Sequence, residues 1–527
     1  MVNPISPRRV DSSTLAGSTC YSWLAAASIG PVGDLHIVNK KLSPDGVERS
    51  TVLAGGTFPG PVIRANKGDN LQIRVFNDLT DTSMDVVTSV HWHGISQHNT
   101  NWADGVTSVT QCPIIPGESF LYNFTASDQA GTYWYHSHYS TQYCDGLRGP
   151  LIVYDPEDPH KGLYDVDDES TILTLTDWYH YLSTDPNRPP ISQPSSTLIN
   201  GLGRYSNGST STDGPLAVVN VVHGKRYRYR LISISCDANF IFSIDGHSMT
   251  IIEVDGGNVK PLRVDSIQIL AAQRYSFILE ANQPVGNYWM RAISNRNYSN
   301  DSIPGVDSAI LRYKGAPNKE PTSKSKKSVI PLVESNLHPL VPTPVPGVLA
   351  PGGADQTIKL DVTFANSSFL MNGVTWNPTD MPLLLQILNG KNRAQDLLPK
   401  GSVYGLKLNQ TVDVIIPGGV VGGPHPIHLH GHSFFVLRSS GNGTYNFVDP
   451  VVRDTVAMGN TPGDDIVIRF VTDNAGPWFL HCHIDWHLSA GFAVVMAEEV
   501  DAVASLESVP PAWNDLCPHY MDFTSHS

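Results

Sequence analysis

Short apolar runs broken by glycine and proline dominate the chain. Leu71-Gln-Ile-Arg-Val75, Thr171-Ile-Leu-Thr-Leu175, Tyr227-Arg-Tyr-Arg-Leu231 and Asp465-Ile-Val-Ile-Arg-Phe470 are rich in β-branched, leucine and aromatic residues, with apolar and polar positions alternating in several of them. Alternation places successive side chains on opposite faces of an extended strand. Runs of this length between turn residues predict the strands of β-sandwiches or barrels. Helical periodicity is scarce: Leu163 to Asp168 and Val500 to Leu506 predict short turns or helices at most.

The 44 glycines and 39 prolines agree with a turn-rich, all-β chain, and 527 residues suffice for two to four domains with separate cores. The punctuation suggests a first domain over 30–157, ending in the loop Asp155-Pro-Glu-Asp-Pro-His160, and a second over 158–313. The polar run that begins at Lys314 and the proline-rich Leu337 to Gly347 read as a linker over 314–351, with a third domain over 352–527.

Four segments carry the chemistry: His91-Trp-His-Gly94, His136-Ser-His138, His425-Pro-Ile-His-Leu-His430, and His481-Cys-His483 followed by His487. In a strand, residues i and i+2 point the same way, so His91/His93, His136/His138, His428/His430 and His481/His483 can each present two imidazoles to one cluster. Eight imidazoles match three coppers with positions left open for dioxygen and water. Cys482 must face the other way and serve a different metal. With His425 and His487 it describes a blue-copper electron-transfer centre. Zinc also accepts Cys and His, but a closed zinc site needs four ligands and a catalytic one three, whereas eleven ligands interlock here around one cysteine. Half of the 20 histidines lie in these segments, which makes a chance scatter a poor account of them.

On these motifs the chain resembles the multicopper oxidases, and within them the basidiomycete-type fungal laccases. The likeness extends to Ala27-Ser-Ile-Gly-Pro-Val-Gly-Asp-Leu35, Asn101-Trp-Ala-Asp-Gly105, Gly131-Thr-Tyr-Trp-Tyr135, Gln142-Tyr-Cys-Asp-Gly-Leu-Arg-Gly-Pro150, Ser235-Cys-Asp-Ala-Asn-Phe240 and Ile484-Asp-Trp-His487. The resemblance implies three cupredoxin-like Greek-key β-sandwich or barrel domains. It also implies four copper ions: type 2 on His91 and His428; a type 3 pair on His93, His136, His138, His430, His481 and His483; and type 1 on His425, Cys482 and His487. Phe492 would occupy the axial position of the type 1 copper, where it offers no lone pair. Asp237 would accept a hydrogen bond from a phenol or aromatic amine, Asp104 would supply protons near the type 2 copper, and Asp485 would orient copper ligands. The implied reaction takes one electron from each of four phenolic or aromatic amine molecules and reduces dioxygen to two waters. A ferroxidase-like metallo-oxidase would need acidic groups around His487, and the local sequence has no obvious cluster of them. A nonenzymatic copper carrier would leave the eight paired histidines unexplained.

Of the six cysteines, Cys482 is reserved for copper, which leaves an odd five: Cys20, Cys112, Cys144, Cys236 and Cys517. The family likeness pairs Cys112 with Cys517 and Cys144 with Cys236. Arg8-Arg9, a weakly apolar stretch and Ala25-Ala-Ala-Ser28 look like an atypical signal peptide within residues 1–29; cleavage near Ala27 or Ser28 would remove Cys20, which is otherwise a lone thiol. N-glycosylation sequons at Asn123, Asn207, Asn297, Asn300, Asn366, Asn409 and Asn442 suit a secreted, extracellular monomer with N-linked glycans. A formal charge of −14 without a basic stripe argues against nucleic acid. The chain also lacks an apolar run long enough to span a membrane.

Overall fold

The chain alternates between two packed sheets three times over. The structure, a computed structural model, describes residues 27–189, 193–295, 303–391 and 393–526. Residues 1–26 with Cys20, and the sequons at Asn297 and Asn300, lie outside the described residues. The first pair of sheets draws its strands from Val32 to Tyr154, the second from Ile172 to Tyr313 and the third from Gln356 to Glu498. A two-stranded ribbon, Val362–Ala365 with Ser368–Met371, is added to the last.

All three units repeat one topological device. In one sheet of each, the first strand lies parallel to a later one: Val32–Leu42 beside Asn70–Asp78, Ile172–Trp178 beside Arg226–Ser233, and Gln356–Lys359 beside Thr411–Ile416. The second sheet does the same, with Ile63–Asn66 beside Arg148–Tyr154, Val218–Val221 beside Ser308–Tyr313, and Val403–Leu406 beside Ala493–Glu498. Parallel neighbours cannot be joined by a tight turn, so the chain must cross to the other sheet before returning.

The predicted strands are present. Asn70–Asp78 shows why they form: Leu71, Ile73 and Val75 are buried on one face while the intervening residues are half-exposed. Gly131–Ser137 and Gly476–Cys482 instead are buried along their whole length, so they read as continuous apolar runs without alternation. The two short helical stretches are present close to their expected places, and one longer helix is an addition. Lys161–Leu163 forms one 3₁₀ turn and Val503–Leu506 a short helix, but Pro511–Ser525 is a 15-residue helix that the strand-dominated pattern does not foretell. Pro511 starts it, and Trp513, Leu516 and Cys517 form its buried stripe at spacings of three and four. Cys517 joins Cys112, and Cys144 joins Cys236, as the family likeness implied.

Buried ion pairs fasten the three units around one centre. Arg274, from the middle unit, holds Asp454 of the third with two hydrogen bonds of 2.8 and 2.7 Å and donates to the Thr132 carbonyl of the first at 2.9 Å. Arg453 returns the contact by pairing with Asp255 at 2.9 Å. All four side chains are cut off from water, where a missing partner would leave an uncompensated charge.

The C-terminal segment carries a buried acid of another kind. Burial pushes the Glu507 carboxyl up to about 7 from 4.5, against a weaker opposing hydrogen bond from the Asn101 backbone. A carboxyl raised on folding favours the protonated folded state, so its contribution is intact below pH 4.5 and fades as pH rises through about 7. Glu507→Gln is expected to flatten the fall in melting temperature across that window, with at most about 3 kcal/mol at stake. Parallel pH–melting profiles of the two proteins check this; superimposable slopes would refute it.

Candidate metal centre

Two strand pairs from distant parts of the chain bring eight histidines together. Val90–His93 runs antiparallel to Gly131–Ser137 with His91 opposite His136, and His425–Leu429 runs antiparallel to Gly476–Cys482 with His428 opposite His481. The first pair belongs to the first unit and the second to the third, so the histidines meet where these units face each other. His93 stacks on His428 with ring centres 3.9 Å apart, and His91 lies 4.0 Å from His430. Their nitrogens form three triads: His91, His93 and His428; His93, His136 and His483; and His138, His430 and His481. Each triad draws on both units.

Hydrogen bonds orient these rings. His91 Nδ1 donates to the Asp104 carbonyl at 2.7 Å, His136 Nδ1 to the Ser137 carbonyl at 2.8 Å, His428 Nδ1 to the Asp454 carbonyl at 2.8 Å, and His481 Nδ1 to the Cys482 carbonyl at 3.0 Å. His93 uses Nε2 instead, 3.2 Å from Asp454 Oδ1. The opposite nitrogens of His91, His93, His136 and His428 are buried and without a hydrogen-bond partner, as are Nε2 of His138 and His483. A buried imidazole nitrogen without a partner is costly, and a metal ion is the partner that this many convergent lone pairs fit. Burial, reinforced by neighbouring histidines, holds His93, His136, His138, His430, His481 and His483 well below the usual imidazole range. Burial likewise pushes His428 down to about 3. These rings stay neutral, as metal ligation requires.

A second centre lies across the same strand. Cys482 belongs to neither disulfide, and its Sγ is 3.6 Å from Nδ1 of both His425 and His487, which are 3.1 Å from each other. One thiol and two imidazoles, with Cys482 and His425 buried and His487 half-buried, are the donor set for a soft, three-coordinate copper site. Phe492 is fully buried, with its ring centre 5.2 Å from that of His425. Phe369, on the added ribbon, stacks on Phe492 at 4.9 Å and lies 4.7 Å from His487. Met496 instead is paired in register with Trp478, four residues before Cys482.

The three carboxylates occupy different surroundings. Asp104 is buried and bridges two histidines, with Oδ2 2.9 Å from His430 Nδ1 and Oδ1 3.2 Å from His91 Nδ1. Asp485 is buried beside the Cys144–Cys236 disulfide, one oxygen 3.4 Å from Cys144 Sγ, and burial pushes its carboxyl well above the usual range. The group that meets His483 is the Tyr143 hydroxyl, 3.3 Å from Nδ1 and 3.1 Å from the carbonyl. Asp237 lies in the loop between strands Arg226–Ser233 and Phe240–Ile244 and is 6% exposed. Asp177 fastens this loop by accepting the N–H groups of Cys236, Asp237 and Ala238, while the Cys236 carbonyl accepts the N–H of Asp485 at 2.8 Å. The middle unit is thereby tied to the His481–His487 segment.

Sequence reasoning missed Asp454, Tyr143 and Phe369. No local motif marks an isolated aspartate or phenylalanine, although Tyr143 stands beside Cys144. It also missed a cavity of about 280 Å³ that reaches His138 between Trp376, Phe479 and Tyr520 of the C-terminal helix.

The comparisons agree with this geometry. Family models described as multicopper oxidase match residues 36–158, 169–316 and 376–502. The chain is 57% identical to laccase-2 of Trametes versicolor over 94% of its length and 95% of the relative's. It is 58% identical to laccase-1 of Fomitopsis schrenkii, covering 95% of this chain and 92% of the relative. Among solved structures, the laccase of Botrytis aclada superposes with a TM-score of 0.80 at 32% identity, covering 94% of this chain and 93% of that one. Fet3p, described as a multicopper oxidase that functions in iron import, superposes with 0.81 at 27% identity, covering 93% and 95%. The repeated sheet pairs are three cupredoxin-like Greek-key units.

Asp104 touches the histidine cluster and has no contact with the Cys482 trio, so its loss should separate the two centres. Asp104→Asn is expected to weaken copper retention in the cluster about 10- to 100-fold, the usual effect of losing a carboxylate behind a ligand. Copper counting after graded chelation should show that loss while the visible absorption of the thiolate centre persists; loss of both together would count against it.

Proposed function

The chain belongs to the multicopper oxidase family, and on that premise we propose that it is a laccase, oxidising phenols and aromatic amines by single electrons at the expense of dioxygen. The observation that carries this reading is the placement of the thiol trio and the histidine triads on opposite faces of one segment, 481–483. Bound copper would supply the redox chemistry, one ion accepting electrons from the donor and three reducing dioxygen to water. His425, Cys482 and His487 would hold the first ion. His91 and His428 would hold the type 2 ion, with the type 3 pair on His93, His136 and His483 and on His138, His430 and His481.

The residues of the chain divide the remaining work. Cys482 is covalently joined through backbone to His481 and His483, so the chain itself would offer a covalent path between the two centres. Phe492 and Phe369 exclude water and place no donor atom beside the thiolate. Asp104 holds His91 and His430 in register and is placed to answer a proton demand at the cluster. Asp237 accepts the proton that a phenol releases as its electron departs. Asp485, packed on the disulfide, steadies the loop that carries His487.

The three sheet pairs correspond in this reading to domains 30–157, 158–313 and 352–527, with 314–351 as the linker. The protein is secreted as a monomer. Two disulfides suit an oxidising compartment. The sequons at Asn123, Asn207, Asn366 and Asn409 are exposed and that at Asn442 half-buried, which leaves room for N-linked glycans. No helix among the described residues is long and apolar enough to cross a membrane.

The deciding experiment follows oxygen uptake by copper-loaded protein with a phenol, a nonprotic aromatic donor and ferrous ion, in the parent and in Asp237→Asn. The parent should prefer the aromatic donors; a strong preference for iron would point to a metallo-oxidase instead. Asp237→Asn should keep its copper and blue colour, lose kcat/KM mainly for the phenol, by about 10²-fold or more, and shift the phenol pH optimum upward. Equal losses for both aromatic donors would remove Asp237 from proton transfer.

The Phe492 ring offers the thiolate centre no axial ligand, so a thioether placed there should stabilise the oxidised metal. Phe492→Met is expected to lower the potential of that centre while its intense visible absorption remains. Redox titration decides the point, and an unchanged or higher potential would contradict it.

A further inference from the structure

The largest cavity among those described lies away from the metal centre, in the middle unit. It occupies about 1030 Å³ beside strands Phe240–Ile244 and Asn287–Ser294, and the segment 323–330 lines its other side. None of the residues lining it is a candidate metal ligand, and Asp237 is not among them. That segment, Ser323-Lys-Ser-Lys-Lys-Ser-Val-Ile330, is buckled down at both ends. Arg291, itself paired with Asp245, donates to the Ser323 carbonyl at 3.1 Å. Asp265 accepts the N–H groups of Val329 and Ile330 at 2.7 and 3.2 Å, together with the Ser328 hydroxyl.

These anchors occupy Asp245 and Asp265 and leave the cations of the strap over. Lys324, Lys326 and Lys327 line the cavity, and among the described residues none of them has a carboxylate within 4.0 Å. The chain carries a net charge of −14, so three lysines within four residues, without an ion pair and over a cavity, are a local reversal of sign. The lining is mixed, with Glu280 among its polar groups, but it includes an apolar pair: Ile241, 51% exposed on its strand, stands opposite Ile293 on the neighbouring strand. Cations on one side and aliphatic surface on the other describe a receptor for a charged body with a flat apolar part.

We propose that this cavity is a second binding site, for an amphiphilic organic anion such as an aromatic carboxylate or sulfonate. The apolar body packs on Ile241 and Ile293, and the acid group meets the strap lysines. The site is independent of the oxidase reading, because no step of the redox chemistry passes through it.

The test uses 2-naphthalenesulfonate, which has neither phenol nor amine to be oxidised, titrated calorimetrically into copper-loaded full-length protein. Saturable binding is expected, weakening as salt is raised. The triple variant K324Q/K326Q/K327Q should lose affinity about tenfold, as expected when several exposed charge contacts are removed together. Ile241→Glu, at an exposed strand position, should weaken binding with the lysines intact, and neutral 2-naphthylmethanol should respond to Ile241→Glu only. Phenol oxidation should proceed at the parent rate in both variants and be unaffected by the sulfonate. Absence of saturable binding, affinity unchanged in both variants, or competition between the sulfonate and the phenol would overturn the proposal.

Discussion

The two-residue repeat of a β-strand is the constraint on which the metal chemistry depends. Because successive side chains of Gly476–Cys482 point to opposite faces, His481 and His483 enter the histidine cluster while Cys482 between them faces His425 and His487. A one-residue slip of this strand would exchange the faces and destroy both centres. Its register is set on two sides: Ile427 opposite Cys482 and His428 opposite His481 on one, and Val495 opposite Phe479 on the other. Burial of the whole strand makes any other register expensive.

A strand can aim ligands, but it cannot bring two units together. That task falls to fully buried arginines and to the disulfides. Arg274 reaches Asp454 in the third unit and Thr132 in the first, so it spans all three, and Asp454 in turn contacts His93 and His428. The same residue thus closes a charge network on one side and orients two imidazoles on the other, His93 through its carboxylate and His428 through its backbone carbonyl. The C-terminal helix works from outside, with Cys517 bonded to Cys112 and the Trp513 indole donating to the Thr110 carbonyl. Inter-unit contacts of this kind hold the histidines close together although their mutual contacts, without metal, offer little attraction.

Burial also sets the chemical state of the site. Seven cluster histidines are held below the normal imidazole range chiefly because a charged ring would be stripped of water there, and a crowd of neighbouring rings adds to the effect. The ring nitrogen turned toward a carbonyl or carboxylate fixes the tautomer, and the other is left for a metal. Around Cys482 the environment differs: two phenylalanine rings replace polar contacts, so the same segment presents a polar, hydrogen-bonded face to one centre and an apolar face to the other.

Much of this was legible in the chain because it is local. Strand periodicity at Leu71–Val75 or Asp465–Phe470, the spacing of the His-x-His pairs and the position of Cys482 inside the last pair follow from residues within a few places of one another, and strand geometry converts such spacing directly into direction. Family likeness added the disulfide partners and drew attention to Asp104, Asp237, Asp485 and Phe492. Only the tertiary structure could join His91 to His430 across more than three hundred residues, place Asp454 behind His93 and His428, set Phe369 against Phe492, or lay a lysine strap over a cavity. None of these contacts has a periodic signature, because each is made by single residues whose neighbours in sequence face elsewhere. The C-terminal helix was missed for a related reason: its amphipathic stripe is short, a proline lies inside it, and it is held chiefly by burial against the first unit and by one disulfide. Direction along a strand is a property of the local chain, whereas proximity across the fold depends on how whole units pack.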